Sequence, residues 1–392
     1  MTTAIQKIPS GYKQTEIGVI PADWDVKKLG EVADYKNGKS FESRITDIGD
    51  YFLITLNSLD IKGKLKSDHL RVSVSDKSLN KNDLVMILSD VAHGNFLGLA
   101  DVVPEDDKYV LNQRVGALKN IRYLTPYYLS KYINFKQKYF KTAGQGSSQL
   151  NLSKGDILAF PVAYPNSETE QSAISMMISD AEVLIEKLER LVEKKKNIKQ
   201  GAMHELLIGK RRLPEFSGKW EMKIFGQVLK IRHGKSQREV AVVNGKYPIL
   251  ASGGEIGRSN EYLYNKPSVL IGRKGTIDIP QYMDKPFWTV DTLFYTEIEK
   301  SNDARFIYYK FQLVDWYLYN EASGVPSLNA KTIERIETYF PPDKSEQVAI
   351  ANVLSDMDTE IEKLESQLTK YQNIKQGMMQ TLLTGKIRLL TK

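Results

Sequence analysis

EQSAISMMISDAEVLIEKLERLVEKKKNIKQGAMHELLIGKRRL (Glu170–Leu213) and EQVAIANVLSDMDTEIEKLESQLTKYQNIKQGMMQTLLTGKIRL (Glu346–Leu389) are one segment written twice. They align without a gap at an offset of 176, and roughly half the positions are identical, a self-similarity that governs the reading of the fold. In the second copy apolar residues fall at Ile350, Leu354, Met357, Ile361, Leu364, Leu368, Tyr371, Met378 and Leu382, with Lys375 in the missing place. The first copy has Ile174, Ile178, Ala181, Ile185, Leu188, Val192, Ala202 and Leu206 on the same spacing, interrupted by Lys195 and Lys199. Alternating steps of four and three over several heptads describe a coiled-coil seam, in which polar members fix register at some cost in stability.

The ends of each copy are marked as well. Ser167-Glu168-Thr169-Glu170 reads as a capping box, and Asp343-Lys344-Ser345-Glu346 takes the same place with Asp343 as N-cap. Gly209 and Gly385 follow the last seam leucines and suit a left-handed C-terminal turn. Gly201 and Gly377 lie inside the helices, where glycine costs about 1 kcal/mol relative to alanine. They are expected to mark a close backbone approach or a local break. Each helix is then about 40 residues, or roughly 60 Å, long. Because the chain returns between the copies, antiparallel pairing is expected.

The similarity continues upstream. Trp24–Ser40 matches Trp220–Ser236 at an offset of 196, through Trp, a Leu/Phe-Gly step (Leu29-Gly30, Phe225-Gly226) and Gly-Lys-Ser (Gly38–Ser40, Gly234–Ser236). The change from 196 to 176 places a net 20 extra residues in the middle of the first half. Each half then shows a strand-like run (Asp83–Leu88, Ser268–Gly272), an aromatic helix (Pro126–Phe140, Ala304–Asn320) and a loop ending in Leu-Asn (Gly144–Asn151, Ser323–Asn329). The expected fold is α+β. Two mixed α/β domains alternate with two long helices that pair as an antiparallel coiled coil with pseudo-twofold symmetry. The segments are 1–165, 166–210, 211–341 and 342–392.

Composition narrows the class. The 392 residues are 41% hydrophobic, enough for two cores, and 55 basic against 48 acidic residues leave a charge of +7, a mild lean towards an anionic partner. The absence of cysteine removes disulfides and thiolate metal sites and suits a reducing cytoplasm. The start, Met1–Lys13, is polar, and no apolar run approaches the roughly 20 residues of a membrane span. A soluble cytoplasmic protein is expected.

Catalytic motifs are not met. The Gly-Lys-Ser turns lack the earlier glycine of a phosphate-binding loop, since Ala33 and Leu229 stand there. Phe340-Pro341-Pro342-Asp343 lacks the leading acid or amide of an amino-methyltransferase motif. His69, His93, His204 and His233 show no metal-ligand spacing, and Asp106-Asp107-Lys108 has no suitably spaced upstream partner for nuclease chemistry. The expected role is binding, with no metal and no cofactor in this chain.

Several residues suit contact with nucleic acid. In Leu270-Ile271-Gly272-Arg273-Lys274-Gly275-Thr276 a strand delivers two cations between glycines, and Arg pairs bidentately with phosphate or with guanine O6/N7. A charged hairpin turn is the alternative for Arg273, Lys274 and Thr276. The first half has Leu88–Asn95 in that place, without the cation pair. Gln145, Ser147, Ser148, Gln149 and Asn151, with Ser327 and Asn329 in the second half, carry amides and hydroxyls of the kind that contact bases or phosphate, an ordinary helix–strand connection being the alternative for the Gln145–Asn151 loop. Lys39, Ser40, Arg44, Lys235, Ser236 and Arg238 follow the Gly-Lys-Ser frames as phosphate candidates, or as a solvated basic loop. The aromatics of the two short helices, such as Tyr128, Tyr132, Phe306 and Phe311, recur at helical spacing, which favours a core over a base-stacking surface.

Together these features resemble the specificity subunit of type I restriction-modification systems. The resemblance rests on Ile17-Gly18-Val19-Ile20-Pro21-Ala22-Asp23-Trp24, the paired Trp…Gly…Gly-Lys-Ser frames, the Ile-Gly-Arg-Lys-Gly-Thr turn, and the Glu-Gln-x-Ala-Ile that opens each repeated helix. It implies two target-recognition domains, each reading half of a bipartite site on double-stranded DNA, and a helix pair that sets their spacing. It also implies two methyltransferase subunits, which use S-adenosylmethionine, and motor-nuclease subunits as partners, with no catalysis by the chain itself. A stand-alone DNA-modifying enzyme and a coiled-coil scaffold with no DNA role remain the alternatives.

Overall fold

The computed structural model describes residues 8–74, 76, 79–91 and 94–389. The first seven residues of the polar N-terminal stretch, and Ala92 and His93 of the turn after the first core strand, lie outside the described residues. The chain forms two compact units, residues 1–187 with 368–392, and residues 188–367. These units do not coincide with the four segments read along the sequence, because each long helix is divided between them.

The two units share a topology. In the first, a four-stranded sheet runs in the order Asp34–Asn37, Val115–Lys119, Leu84–Ile87, Ala100–Val102; in the second, the order is Leu229–His233, Leu293–Ile298, Ser268–Gly272, Gln281–Met283. All pairs in both sheets are antiparallel. A second sheet in each unit contains one parallel pair, Tyr51–Ile54 with Tyr109–Leu111 and Tyr247–Ala251 with Trp288–Thr289. The expected core runs are accordingly strands, fully buried because apolar side chains cover both faces. Equivalent residues follow from the registers. The offset is 196 at Ile54/Leu250, 185 at Ile87/Gly272 and 178 at Val115/Leu293, so most of the extra residues of the first half fall between residues 54 and 115.

The short aromatic helices, Pro126–Phe135 and Ala304–Leu313, are core elements. Tyr128, Tyr132 and Phe140 pack with Trp24 and Phe160 in the first unit; Phe306, Phe311 and Trp316 pack with Trp220, Phe225 and Phe340 in the second. The helical run ends earlier than its pattern, at Phe135, and resumes as Gln137–Ala143. In the second unit Trp316–Tyr319 is a 3₁₀ turn.

The long helices are Glu168–Leu207 and Lys344–Leu382. Every seam residue named from the sequence is buried or half-buried, with Ile174, Ile178, Ile350 and Leu354 fully so. The seam lysines carry ion pairs between the helices. Lys375 reaches Glu182 at 2.9 Å in the first unit; Lys195 and Lys199 reach Glu360 and Asp358 in the second. Glu182 also accepts from Lys131, and Asp358 from Tyr309 at 2.7 Å. Burial works to raise the Glu182 carboxyl, but Lys131 and Lys375 outweigh it and hold the group below its usual range.

Two expectations about these helices change. Gly201 and Gly377 mark neither a break nor a close approach: both helices run through them, and nothing stands within 4 Å of a Cβ built there. Ser167 Oγ does accept the Glu170 backbone N–H, but the Glu170 carboxylate does not reach back. It pairs instead with Arg388 Nε and Nη2 at 2.7 and 2.8 Å, while Glu346 pairs with Arg212 Nε and Nη2. An arginine offers more donors than one backbone N–H, so the fork displaces the box. Gly209 and Gly385 take the expected positive φ, 75° and 68°.

The second unit also buries a lysine. Lys310 is 3% exposed, donates to Thr338 Oγ1 at 2.8 Å, and stands 5.5–5.7 Å from the ring centres of Trp220, Phe306 and Phe340. Burial pushes its ammonium down to about 7. The three ring faces oppose that shift by favouring the charged form. Below pH 7 both folded and unfolded states carry the charge, and the full burial cost stands. Between pH 7 and about 10.5 the unfolded state binds more protons, so stability rises with pH. Lys310→Met is expected to stabilise the second unit by roughly 1–3 kcal/mol at pH 7 and to flatten this rise. Thermal unfolding of both proteins across pH 6–10 checks it, and equal slopes would contradict it.

Candidate nucleic-acid interface

Three loops singled out from the sequence converge in each unit. In the first, Gly38 N donates to Val115 O at 3.1 Å, Lys39 N to Leu111 O at 3.2 Å, and Gln113 N to Lys39 O at 2.8 Å. The Gly-Lys-Ser turn is thereby stitched to the strap Leu111–Val115. Leu88 N donates to Arg114 O at 3.0 Å, and Leu152 N to Leu88 O at 2.8 Å. Ser89–Val91 then pairs antiparallel with Gln149–Asn151.

The second unit repeats three of these five bonds, and Lys235 O accepts Trp288 Nε1 at 2.9 Å in place of a strap N–H. Lys235 N donates to Thr289 O, Arg273 N to Thr292 O, and Leu328 N to Arg273 O, at 2.8–2.9 Å. Lys274 bridges Ser327 as Ser89 pairs with Asn151. The invariant glycine of the two Gly-Lys-Ser frames has a steric cause: a Cβ on Gly38 would sit 1.8 Å from Asn112 O, and one on Gly234 would sit 2.0 Å from Val290 O. Neither turn opens a helix, which separates them from phosphate-binding loops.

Lys39, Ser40, Arg44, Lys235, Ser236, Arg238 and Lys274 are exposed around these junctions; Arg273 and Thr276 are partly buried. Arg273 Nη1 donates to Asp291 O at 3.2 Å, which aims the side chain along the strap. Gln145, Ser147 and Ser148 are exposed. Others are committed within the protein. Gln149 Nε2 donates to Ser89 Oγ and to Asn151 Oδ1, and Asn329 Oδ1 caps Ala330–Glu334 by accepting Lys331 N at 2.9 Å. Ser236 Oγ accepts Arg238 N at 3.4 Å. Asp106 Oδ1 accepts Lys81 N in a surface turn. Among the described residues no group of three or more His, Asp or Glu is placed to hold a metal.

The straps themselves escaped the sequence reading. Asn112, Gln113 and Arg114 stand where the second unit has Val290, Asp291 and Thr292. Their only sequence signal is a polar interruption before an apolar strand, found by carrying the offset of 178 back from the strand. Arg114 is exposed and has φ of 69°, uncommon for a residue with a Cβ and frequent at functional sites. Glu42, exposed as well, accepts from Gln113 Nε2 at 2.6 Å, Asn112 Nδ2 at 3.2 Å and Ser40 Oγ at 3.3 Å. The Gln113 and Asn112 hydrogen bonds hold its carboxyl below the usual range.

Two copies of one loop junction, differing in side chains, define a duplicated scaffold. The family described as type I restriction modification DNA specificity domain matches residues 21–199 and 217–371. The chain belongs to this family; it is a type I specificity subunit with two DNA-recognition domains. Among curated relatives, the type I restriction enzyme MjaVIII specificity subunit of Methanocaldococcus jannaschii is 23% identical over 94% of each chain. The MjaIX specificity subunit of the same organism is 23% identical over 96% of each. The type I S subunit from M. genitalium has a similar fold, with a TM-score of 0.66, 16% identity, and 96% of this chain and 98% of that one covered. A chain from a study of type I complex assembly and conformational transition has a TM-score of 0.55 at 14% identity, over 94% and 99% of the two chains. No helix among the described residues is long and apolar enough to cross a membrane.

Proposed function

We propose that each unit reads one half of a bipartite target on double-stranded DNA. The long helices form one antiparallel, pseudo-twofold coiled coil that sets the distance between the half-sites. The observation that carries this reading is the shared loop junction: three equivalent backbone bonds in each unit present Lys39, Arg44 and Gln145 in one, and Lys235, Arg238, Arg273 and Lys274 in the other. A common scaffold with different exposed donors is what two specificities on one fold require. The cations supply the salt-dependent phosphate contacts, and the amides and hydroxyls read base edges. Partly committed residues, Asn329 above all, contribute through loop shape.

Methyltransferase subunits, two in number and carrying the S-adenosylmethionine, dock on the helices, and motor-nuclease subunits join the complex. Apolar residues left exposed on the first long helix support docking there: Met177 and Leu184 in the first unit, Leu191 and Ile198 in the second, at steps of seven.

Sequencing methylated adenines in cells with and without this chain tests the reading. A bipartite motif is expected only with it. Exchanging residues 216–340 for the corresponding domain of a relative is expected to change one half of the motif and leave the other intact. A change in both halves would refute independent readout.

A further inference from the structure

Glu42 is out of place on a surface meant for phosphates. It lies between Lys39 and Arg44 in sequence, yet the fold holds its carboxylate rigidly in the open with three donors. Asn112, only 2% exposed, is locked from its other side, since its Oδ1 accepts Phe41 N at 3.0 Å. Gln113 follows on the strap, and its backbone N–H is bound to Lys39 O. The strained Arg114 comes next and lies close enough to act on the Glu42 charge.

An ionised carboxylate only accepts hydrogen bonds and has about four lone-pair sites. Three are used, which leaves one facing outward. A phosphate offers no proton to fill it and repels the charge. The groups on duplex DNA that do are the exocyclic amino groups of the bases; in the major groove, the one that admits protein elements most readily, these are cytosine N4 and adenine N6. The second unit has Arg238 at the equivalent position and Asp291 at the Gln113 position, so the acid sits on the strap there and the base on the turn. The turn position thus reverses its charge and the strap position changes from amide to acid, as suits two junctions with different targets.

We propose that Glu42 is a base-reading residue of the first unit. It accepts a hydrogen bond from an exocyclic amino group in one half-site, and Asn112 and Gln113 are the positioning residues that aim it. The assignment rests on the reading of the chain as a DNA-recognition subunit and adds the residue and the base chemistry.

The test is selection from a pool of randomised double-stranded DNA by the full-length chain, wild type against Glu42→Gln and Gln113→Leu. The wild type is expected to enrich a bipartite motif. Glu42→Gln is expected to lose at least tenfold discrimination at one cytosine or adenine position, with the rest of that half-site and the whole other half-site retained. Gln113→Leu is expected to relax the same position less. The intact second half-site reports that each variant is folded. An unchanged motif, or weaker binding spread evenly over all positions, would overturn the assignment and leave DNA recognition standing. Failure of the wild type to enrich any motif would overturn both.

Discussion

Replacing Arg388 with alanine is expected to destabilise the first unit by about 3–5 kcal/mol. Glu170 is 2% exposed, and its two oxygens accept the parallel bonds from Arg388. Removing the guanidinium leaves a buried carboxylate without a countercharge, and that uncompensated charge, not the loss of a favourable pair, sets the cost. The same guanidinium donates to both oxygens of Asp23 at 2.7 Å and lies over the Trp24 ring. Asp23 is held below its usual range chiefly by the Arg388 hydrogen bond. Arg388→Lys keeps the charge but loses the fork, so most of the effect should remain. The double variant Arg388→Met, Glu170→Leu should recover most of the loss, because it removes both charges. Denaturant unfolding, with hydrogen exchange at Trp24–Lys28 to report on this unit, checks all three. A cost below 1 kcal/mol for Arg388→Ala would show that Glu170 finds another partner. Arg212→Ala should act alike on the second unit, where Glu346 is 1% exposed and also accepts from Trp220 Nε1.

Inserting seven residues into each long helix, between Lys187 and Leu188 and between Gln367 and Leu368, is expected to lengthen the DNA spacer by about three base pairs. Seven residues preserve the heptad seam and add roughly 10 Å of helix, against about 3.4 Å per base pair. The ion pairs Lys375–Glu182 and Lys199–Asp358 lie on opposite sides of the insertion points, so both should survive. The expected motif keeps both half-sites and changes only the gap. Insertion into one helix alone breaks the register and should abolish recognition. An unchanged gap after the double insertion would refute the spacing role of the helices.

Much of this was legible in the sequence because repeats and periodicity are local. The seam showed in steps of four and three, and the caps in Gly209 and Gly385. The loops that meet at the junctions showed as glycine-flanked cations and amide-rich turns. What was not legible depends on partners distant in sequence. The straps carry no motif, and their importance comes from the three loops bonded to them. Glu42 reads along the chain as one acid in a basic loop; only the amides of Asn112 and Gln113, some 70 residues away, make it a fixed acceptor. Lys310 reads as an ordinary charge on an amphipathic helix, and the rings of Trp220, Phe306 and Phe340 bury it.

The repeat itself shows the division best. By sequence alone, Glu-Gln at the head of each copy and Gly-Lys-x-Arg-Leu at its tail had to matter twice, in equivalent ways. Which glutamate meets which arginine was open, since each copy contains both. Tertiary structure decides it: Arg388 takes Glu170 and Arg212 takes Glu346, so each unit joins the head of one copy to the tail of the other. The reason is length. The two residues of one copy lie at opposite ends of a helix of roughly 60 Å, far beyond the reach of any side chain, so the partner comes from the other copy. The buried glutamines beside them complete the joint, with Gln171 accepting Thr125 N and Gln347 accepting Asp303 N at the starts of the two aromatic helices. A motif repeated along the chain thus becomes two joints in space, each made from both copies.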